Sequence, residues 1–204
     1  MERLAILVMC ISLGCVHHEE DKESVEMRTP ETLVAEPAPG PLNAVIEIPA
    51  GTVEKREYDP ATGTFPISHR NGKPRLIRFL PYPANYGFIP GTLMDADDGG
   101  DGDALDVFVL CGAVPAGTVL GVVPIGIIEL LDAGERDDKL LALPADPSLR
   151  TIDAGDLDQL PEGVQEILVT WLLNYDPEDG AELLAVKGRA EALAAVARWR
   201  TKTN

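Results

Sequence analysis

A chain of 204 residues with an apolar fraction of 45% has the material for one medium domain with a sizeable core, and is too hydrophobic to be disordered throughout. Its 34 acidic and 17 basic side chains leave a formal net charge of −17, which argues against nucleic acid or an anionic membrane surface as a direct partner, because both are bound through Lys and Arg. An anionic substrate fits such a chain only in the company of metal cations.

The first element in chain order is MERLAILVMCISLGC, one Arg followed by an apolar run of signal-peptide length. It ends in Ser12-Leu13-Gly14-Cys15, which resembles a bacterial lipobox, with Ser12 standing where an aliphatic residue is usual. Residues 1–15 are therefore read as a signal peptide whose Cys15 is lipidated and becomes the mature N-terminus; an ordinary cleaved signal is the alternative. Each buried acyl methylene would add about 0.8 kcal/mol to anchoring. The expected location is an exported lipoprotein of the periplasm or cell envelope that meets the membrane through its lipid alone. Residues 16–41 are rich in Glu and Pro and read as an acidic tether that buries too little surface to fold. His17 and His18 fall in it and read as solvated. Cys10 leaves with the signal, so Cys111 has no disulfide partner and reads as a small buried hydrophobe.

From residue 42 to 204 the pattern is that of a folded domain. Runs rich in β-branched and apolar residues at 43–48, 76–80, 107–110, 126–131 and 140–143 are separated by Gly, Pro and Asp, which predicts a β-rich body. Glu47 lies within the first run. Simple alternation would set it on a solvent face, and a place in a site is the alternative. Lys55 and Glu57 alternate next and share one face. Arg75 and Arg78 in PRLIRFL, with Tyr82 and Tyr86 in YPANYGF, offer donors suited to phosphate oxygens.

Asp101, Asp103 and Asp106 then place three carboxylates in one short turn. Like charges a few ångströms apart repel by roughly 1 kcal/mol per pair even in water, and a hard divalent cation is the natural compensation. The wider stretch 95–106 also roughly fits an EF-hand loop, but it lacks the final bidentate Glu, and VFVL follows where a helix should. A solvated acidic loop is the other alternative. A second acidic set, Asp132, Asp137 and Lys139, follows one strand later. After Pro161 the period changes: Val164, Ile167, Leu168, Trp171, Leu172 and Tyr175 recur at helical spacing, and a second helix over 189–200 carries Leu193, Val196 and Trp199. Strands first and helices later predict an α+β domain.

In combination these motifs resemble the soluble family I inorganic pyrophosphatases from about residue 43 to 175. The family signature is matched by Asp101, Gly102, Asp103, Ala104, Leu105, Asp106 and Val107, departing only at Ala104. VIEIP with Glu47, the Lys55-Arg56-Glu57 pair, GKPRL with Arg75, YPANYGFIPGT, the Asp132, Asp137, Lys139 segment and Tyr175 match in order. The resemblance implies a five-stranded OB-like β-barrel with helices packed outside. It also implies Mg²⁺-dependent hydrolysis of inorganic pyrophosphate by metal-activated water.

By the same resemblance Asp101, Asp106, Asp132, Asp137, Glu47 and Glu57 would be metal ligands. Asp103 would receive or orient the water's proton, and Tyr86 would orient the nucleophile. Lys55, Arg75, Tyr82, Lys139 and Tyr175 would grip phosphoryl oxygens. Bacterial members commonly form homo-oligomers, often hexamers. One departure stands out, since the family follows its last Tyr with Lys and this chain has Asp176. Asp176 is expected to weaken substrate affinity, and Asp176→Lys to tighten it, with Lys187 a candidate to restore the charge. The alternatives are a metal-dependent phosphohydrolase of changed substrate and a non-catalytic lipoprotein binding divalent metal or pyrophosphate.

Overall fold

The computed structural model describes residues 41–178 and 180–201. The signal segment, Cys15 and almost all of the tether lie outside the described residues. In chain order the strands are β1 (Leu42–Ile48), β2 (His69–Arg70), β3 (Lys73–Pro74), β4 (Asn85–Phe88), β5 (Asp106–Val109), β6 (Val119–Asp132), β7 (Glu135–Arg136), β8 (Lys139–Pro144) and β9 (Glu182–Gly188). The helices are α1 (Glu162–Leu172), before β9, and α2 (Arg189–Trp199), after it.

Five strands close on themselves in the order β1-β4-β5-β8-β6, with β6 returning to β1. Closure removes exposed sheet edges and gives the expected OB-like barrel. β5 and β8 run parallel, and the other pairs of the ring are antiparallel. β9 and β7 add to the far end of β6. β2 and β3 form a separate hairpin whose turn residues Asn71 and Gly72 have φ of 53° and 73°, the left-handed pair that a tight hairpin requires.

β6 is longer than the sequence predicts, because Pro124 and Gly126 look like strand ends. They instead bracket a bulge, where the register against β8 shifts, and pairing continues on both sides. A Cβ at Gly126 would stand 2.9 Å from the Lys187 carbonyl, so only glycine lets β9 close in there. The run 76–80 departs from expectation in the other direction. Leu76 makes a single bridge to Glu54, and Leu76, Phe79 and Leu80 are exposed. The apolar run belongs to an irregular segment rather than a strand.

Two apolar clusters fill the molecule. Phe108, Leu110, Leu141 and Leu143 pack with Leu168, Trp171 and Leu172 of α1. Val107, Val109, Leu140 and Ala142 point the other way and pack with Ala192, Val196 and Trp199 of α2. The α2 stripe runs through Ala192 rather than Leu193, which is 37% exposed. Burying each large side chain is worth about 1.5–3 kcal/mol relative to exposure, and this fixes both helices against the sheet.

Candidate active site

Glu47 reaches the site through a bulge. Val45, Ile46 and Ile48 of β1 pair with Phe88, Gly87 and Tyr86 of β4, so Glu47 is an extra residue with no opposite number. A bulge breaks alternation and re-aims its side chain, which is why Ile46, Glu47 and Ile48 are all buried. The Tyr58 N–H donates to Glu47 Oε1 at 2.6 Å. Burial pushes the Glu47 carboxyl from 4.5 up to about 8, with the Tyr58 N–H opposing.

Parallel pairing sets Asp106, at the start of β5, beside Lys139, at the start of β8. The Lys139 ammonium donates to Asp106 Oδ2 at 2.6 Å and to Asp137, while the Tyr86 hydroxyl also donates to Asp106. Lys139 is 3% exposed. Burial alone would lower its pKa, but Asp106 and Asp137 outweigh that and hold it charged. Burial raises Asp106, with Lys139 opposing.

The acidic turn is pinned from behind. Gly102 N–H donates to the Met94 carbonyl at 2.8 Å, and Met94 N–H to the Asp103 carbonyl at 2.7 Å. A Cβ on Gly100 would lie 2.4 Å from the Met94 carbonyl, so the loop requires glycine there. Asp103 N–H donates to Asp101 Oδ1 at 2.9 Å, which leaves the Asp103 side chain exposed at the rim. The Asp101 and Asp137 carboxyls hydrogen-bond each other. Burial, then Asp137, pushes Asp101 up to about 7. Asp137 is held down despite its own burial, because Lys139 stabilises its charge.

Cations close the other side. Lys55 Nζ and Arg75 Nη1 each lie 3.8 Å from Glu57 Oε1. Glu57 thus sits between two cations. Tyr175 follows α1 and stacks flat on Trp171, with centroids 4.5 Å apart, while Trp171 is fixed by donating its indole N–H to the Leu80 carbonyl at 2.8 Å. The hydroxyls of Tyr86 and Tyr175 are raised by burial and stay protonated donors.

Lys55, Glu57, Tyr86, Asp103 and Asp106 line both of two adjoining cavities, of about 410 and 280 Å³. Glu47 adds to the larger; Asp101, Asp132, Asp137, Lys139, Arg75 and Tyr175 add to the smaller. Tyr82 is 2% exposed and packs on Trp171 and Tyr86, and its hydroxyl lies within electrostatic reach of Tyr175, Asp106, Arg75 and Lys139. Lys187 is elsewhere, paired with Glu129 at 2.9 Å. The smaller cavity includes two charged residues that sequence reasoning missed, Arg70 and Glu135. The Asn71-Gly72 turn is the signal that would have placed Arg70 on a tight hairpin beside Arg75.

The donor set suits a hard cation, since every candidate ligand is a carboxylate oxygen and none is His or Cys. Among the described residues no three such side chains form a closed metal cage. Asp106 and Asp137 converge on an ammonium, and Asp101 and Asp137 on each other. Carboxylates that recruit positive charge in these ways fit the divalent metal that the chemistry demands. Among the described residues, an EF-hand is excluded by the strand β5 that follows the acidic turn.

Comparison with known proteins agrees with this geometry. The family model described as inorganic pyrophosphatase matches residues 44–204. An inorganic pyrophosphatase of Sulfolobus acidocaldarius is 34% identical over 162 residues, which cover 78% of this chain and 87% of that protein. Another from Synechocystis sp. is 38% identical over 136 residues, covering 63% of this chain and 75% of its own. The crystal structure of inorganic pyrophosphatase from Thermus thermophilus matches with a TM-score of 0.72 at 28% identity, covering 83% of this chain and 95% of that one. Barrel, acidic turn and sequence matches agree, and the chain belongs to the inorganic pyrophosphatase family.

Proposed function

We propose that the chain hydrolyses inorganic pyrophosphate to two phosphates with Mg²⁺ held by Asp101, Asp106, Asp132 and Asp137, and with Glu47 completing the acidic set. The observation that carries this reading is one cleft in which five or more carboxylates face Lys55, Arg75, Lys139 and Tyr175. Carboxylates alone would repel a polyanion, and cations alone would need no acidic turn. Bound Mg²⁺ supplies charge neutralisation and makes water acidic enough to attack at neutral pH.

The protein's own groups do the rest. Lys55, Arg75, Lys139 and Tyr175 hold phosphoryl oxygens and face the charge that builds on the leaving phosphate. Asp103, exposed at the rim of both cavities, orients the attacking water and accepts its proton. The water oxygen bonds to one phosphorus while the bridging P–O bond breaks, its electron pair leaving with the second phosphate. Tyr86 fixes Asp106 by donating to it. Glu57 orients Lys55 and Arg75 from between them. Tyr82 packs its ring against Tyr86 and Trp171.

Phosphate release from pyrophosphate, tripolyphosphate and nucleoside triphosphates, with Mg²⁺ and with chelator, tests the reading. Mg²⁺-dependent multiple turnover that favours pyrophosphate is expected. Preference for a nucleotide would indicate a changed substrate, and binding without turnover a non-catalytic protein.

Export and a lipid anchor at Cys15 belong to the same proposal, supported by the apolar run and lipobox-like end of residues 1–15. Membrane fractionation of a Cys15→Ala variant tests it, and release from the membrane is expected. Self-association is supported by the family resemblance, and light scattering of the purified protein measures it.

A further inference from the structure

We infer that Arg70, on the β2–β3 hairpin, is a further substrate-binding residue, and that Asp176 is the positioning residue that aims both Arg70 and Arg75 into the cleft. The inference rests on the pyrophosphate reading above. One carboxylate oxygen, Asp176 Oδ2, lies 2.9 Å from Arg75 Nη2 and 3.1 Å from Arg70 Nη1. Asp176 and Arg75 side chains are 16% and 17% exposed and Arg70 is 35% exposed, so this clamp is shielded while the Arg70 fork still borders solvent. Arg70 lines the smaller cavity together with Arg75, Lys139 and Tyr175. The Glu178 carboxylate, 3.8 Å from Arg70, is 81% exposed and holds it only weakly.

The geometry favours substrate contact. Two guanidinium groups this close repel unless an anion bridges them, and Asp176 is that bridge. Both carry planar forks that match phosphate oxygens, and both line the cavity that Lys55, Lys139 and Tyr175 also line. Arg70 thus supplies the cation that a Lys at position 176 would otherwise bring. Asp176 acts as an anchor, not as a repelling charge. Asp176→Lys would therefore set a third cation against two arginines and weaken binding, the reverse of what the sequence alone suggests.

The test is initial-rate phosphate release from Mg²⁺-pyrophosphate by the full chain, with melting temperature measured alongside. Arg70→Gln is expected to raise KM about tenfold, the effect of one charge-assisted hydrogen bond, with the loss concentrated in KM rather than kcat. Arg70→Lys should recover part of it. Asp176→Glu, which keeps the bridging carboxylate, should raise KM less than Asp176→Lys, and Arg70→Gln combined with Asp176→Lys should lose less than the product of the two single effects. A KM for Arg70→Gln within twofold of the parent, with or without a lower melting temperature, overturns the assignment, as does a lowered KM for Asp176→Lys. If the parent chain releases no phosphate, the hydrolase reading itself fails. Affinity for Mg²⁺-imidodiphosphate then decides on Arg70, and equal affinity of parent and Arg70→Gln overturns its role.

Discussion

At the scale of single residues, Lys139 controls the electrostatics of the cleft. It is an ammonium buried between two carboxylates, and removing one member of such a group leaves the others uncompensated. Lys139→Met is predicted to cost about 3 kcal/mol of stability in chelator. Added Mg²⁺ should recover much of it, because the metal neutralises the same carboxylates; denaturant unfolding with and without Mg²⁺ checks this. Turnover should still fall at least about a hundredfold, the usual loss when one preorganised donor is removed. The acidic turn and the Asp137-Lys139 pair were legible in the sequence because their members are near neighbours in the chain. Arg70 was not, because its meeting with Asp176 depends on how the hairpin and the end of α1 come together. Nor was the burial of Tyr82 and Tyr86, since spacing in YPANYGF says nothing about how deeply either tyrosine sits.

At the scale of elements, the β1–β4 contact carries the precision of the site. Glu47 enters only because β1 bulges, and the bulge sits opposite Gly87 and Tyr86. A Cβ on Gly87 would lie 1.8 Å from the Val45 carbonyl oxygen, with no flexible side chain to yield. Gly87→Ala is predicted to lower stability by about 2–3 kcal/mol through forced strand separation. It should also reduce activity in the molecules that still fold, since Tyr86 and Glu47 move with the strands. Circular-dichroism melting and phosphate release on the soluble fraction measure both effects. Alternation rules cannot see such a bulge, which is why Glu47 could not be assigned to a face from VIEIP. Apolar runs bounded by Gly, Pro and Asp likewise make 76–80 look like a strand and start β6 at Gly126 rather than at Val119. The amphipathic helices read more faithfully, because their apolar stripes at Leu168, Trp171 and Leu172 and at Val196 and Trp199 pack directly on the sheet.

At the scale of the whole molecule, the excess of acid links folding to protons and metal. Glu47 moves from 4.5 to about 8 and Asp101 from 3.8 to about 7 in the folded protein. A raised carboxyl pKa means the folded state binds its proton more tightly than the unfolded chain does. The stability it contributes is complete below the unfolded value and is lost as pH rises through the folded one. The metal-free protein is therefore predicted to lose stability from about pH 3.8 to about pH 8, and Mg²⁺ should flatten that decline by replacing the protons. Thermal melting in chelator and in Mg²⁺ across this range reads it directly; a metal-free stability that rises over the window would contradict the burial of these acids. Barrel closure follows from pairings that the sequence pattern implied only through family resemblance, whereas one β-rich domain with later helices could be read from periodicity alone. The most direct test of the whole account compares phosphate release from pyrophosphate by the parent chain and by Asp103→Asn at saturating Mg²⁺. The account predicts Mg²⁺-dependent turnover in the parent and a loss of at least about a hundredfold, roughly 2.7 kcal/mol of barrier, in a variant that stays folded. Near-normal turnover by Asp103→Asn, or none by the parent, would contradict it.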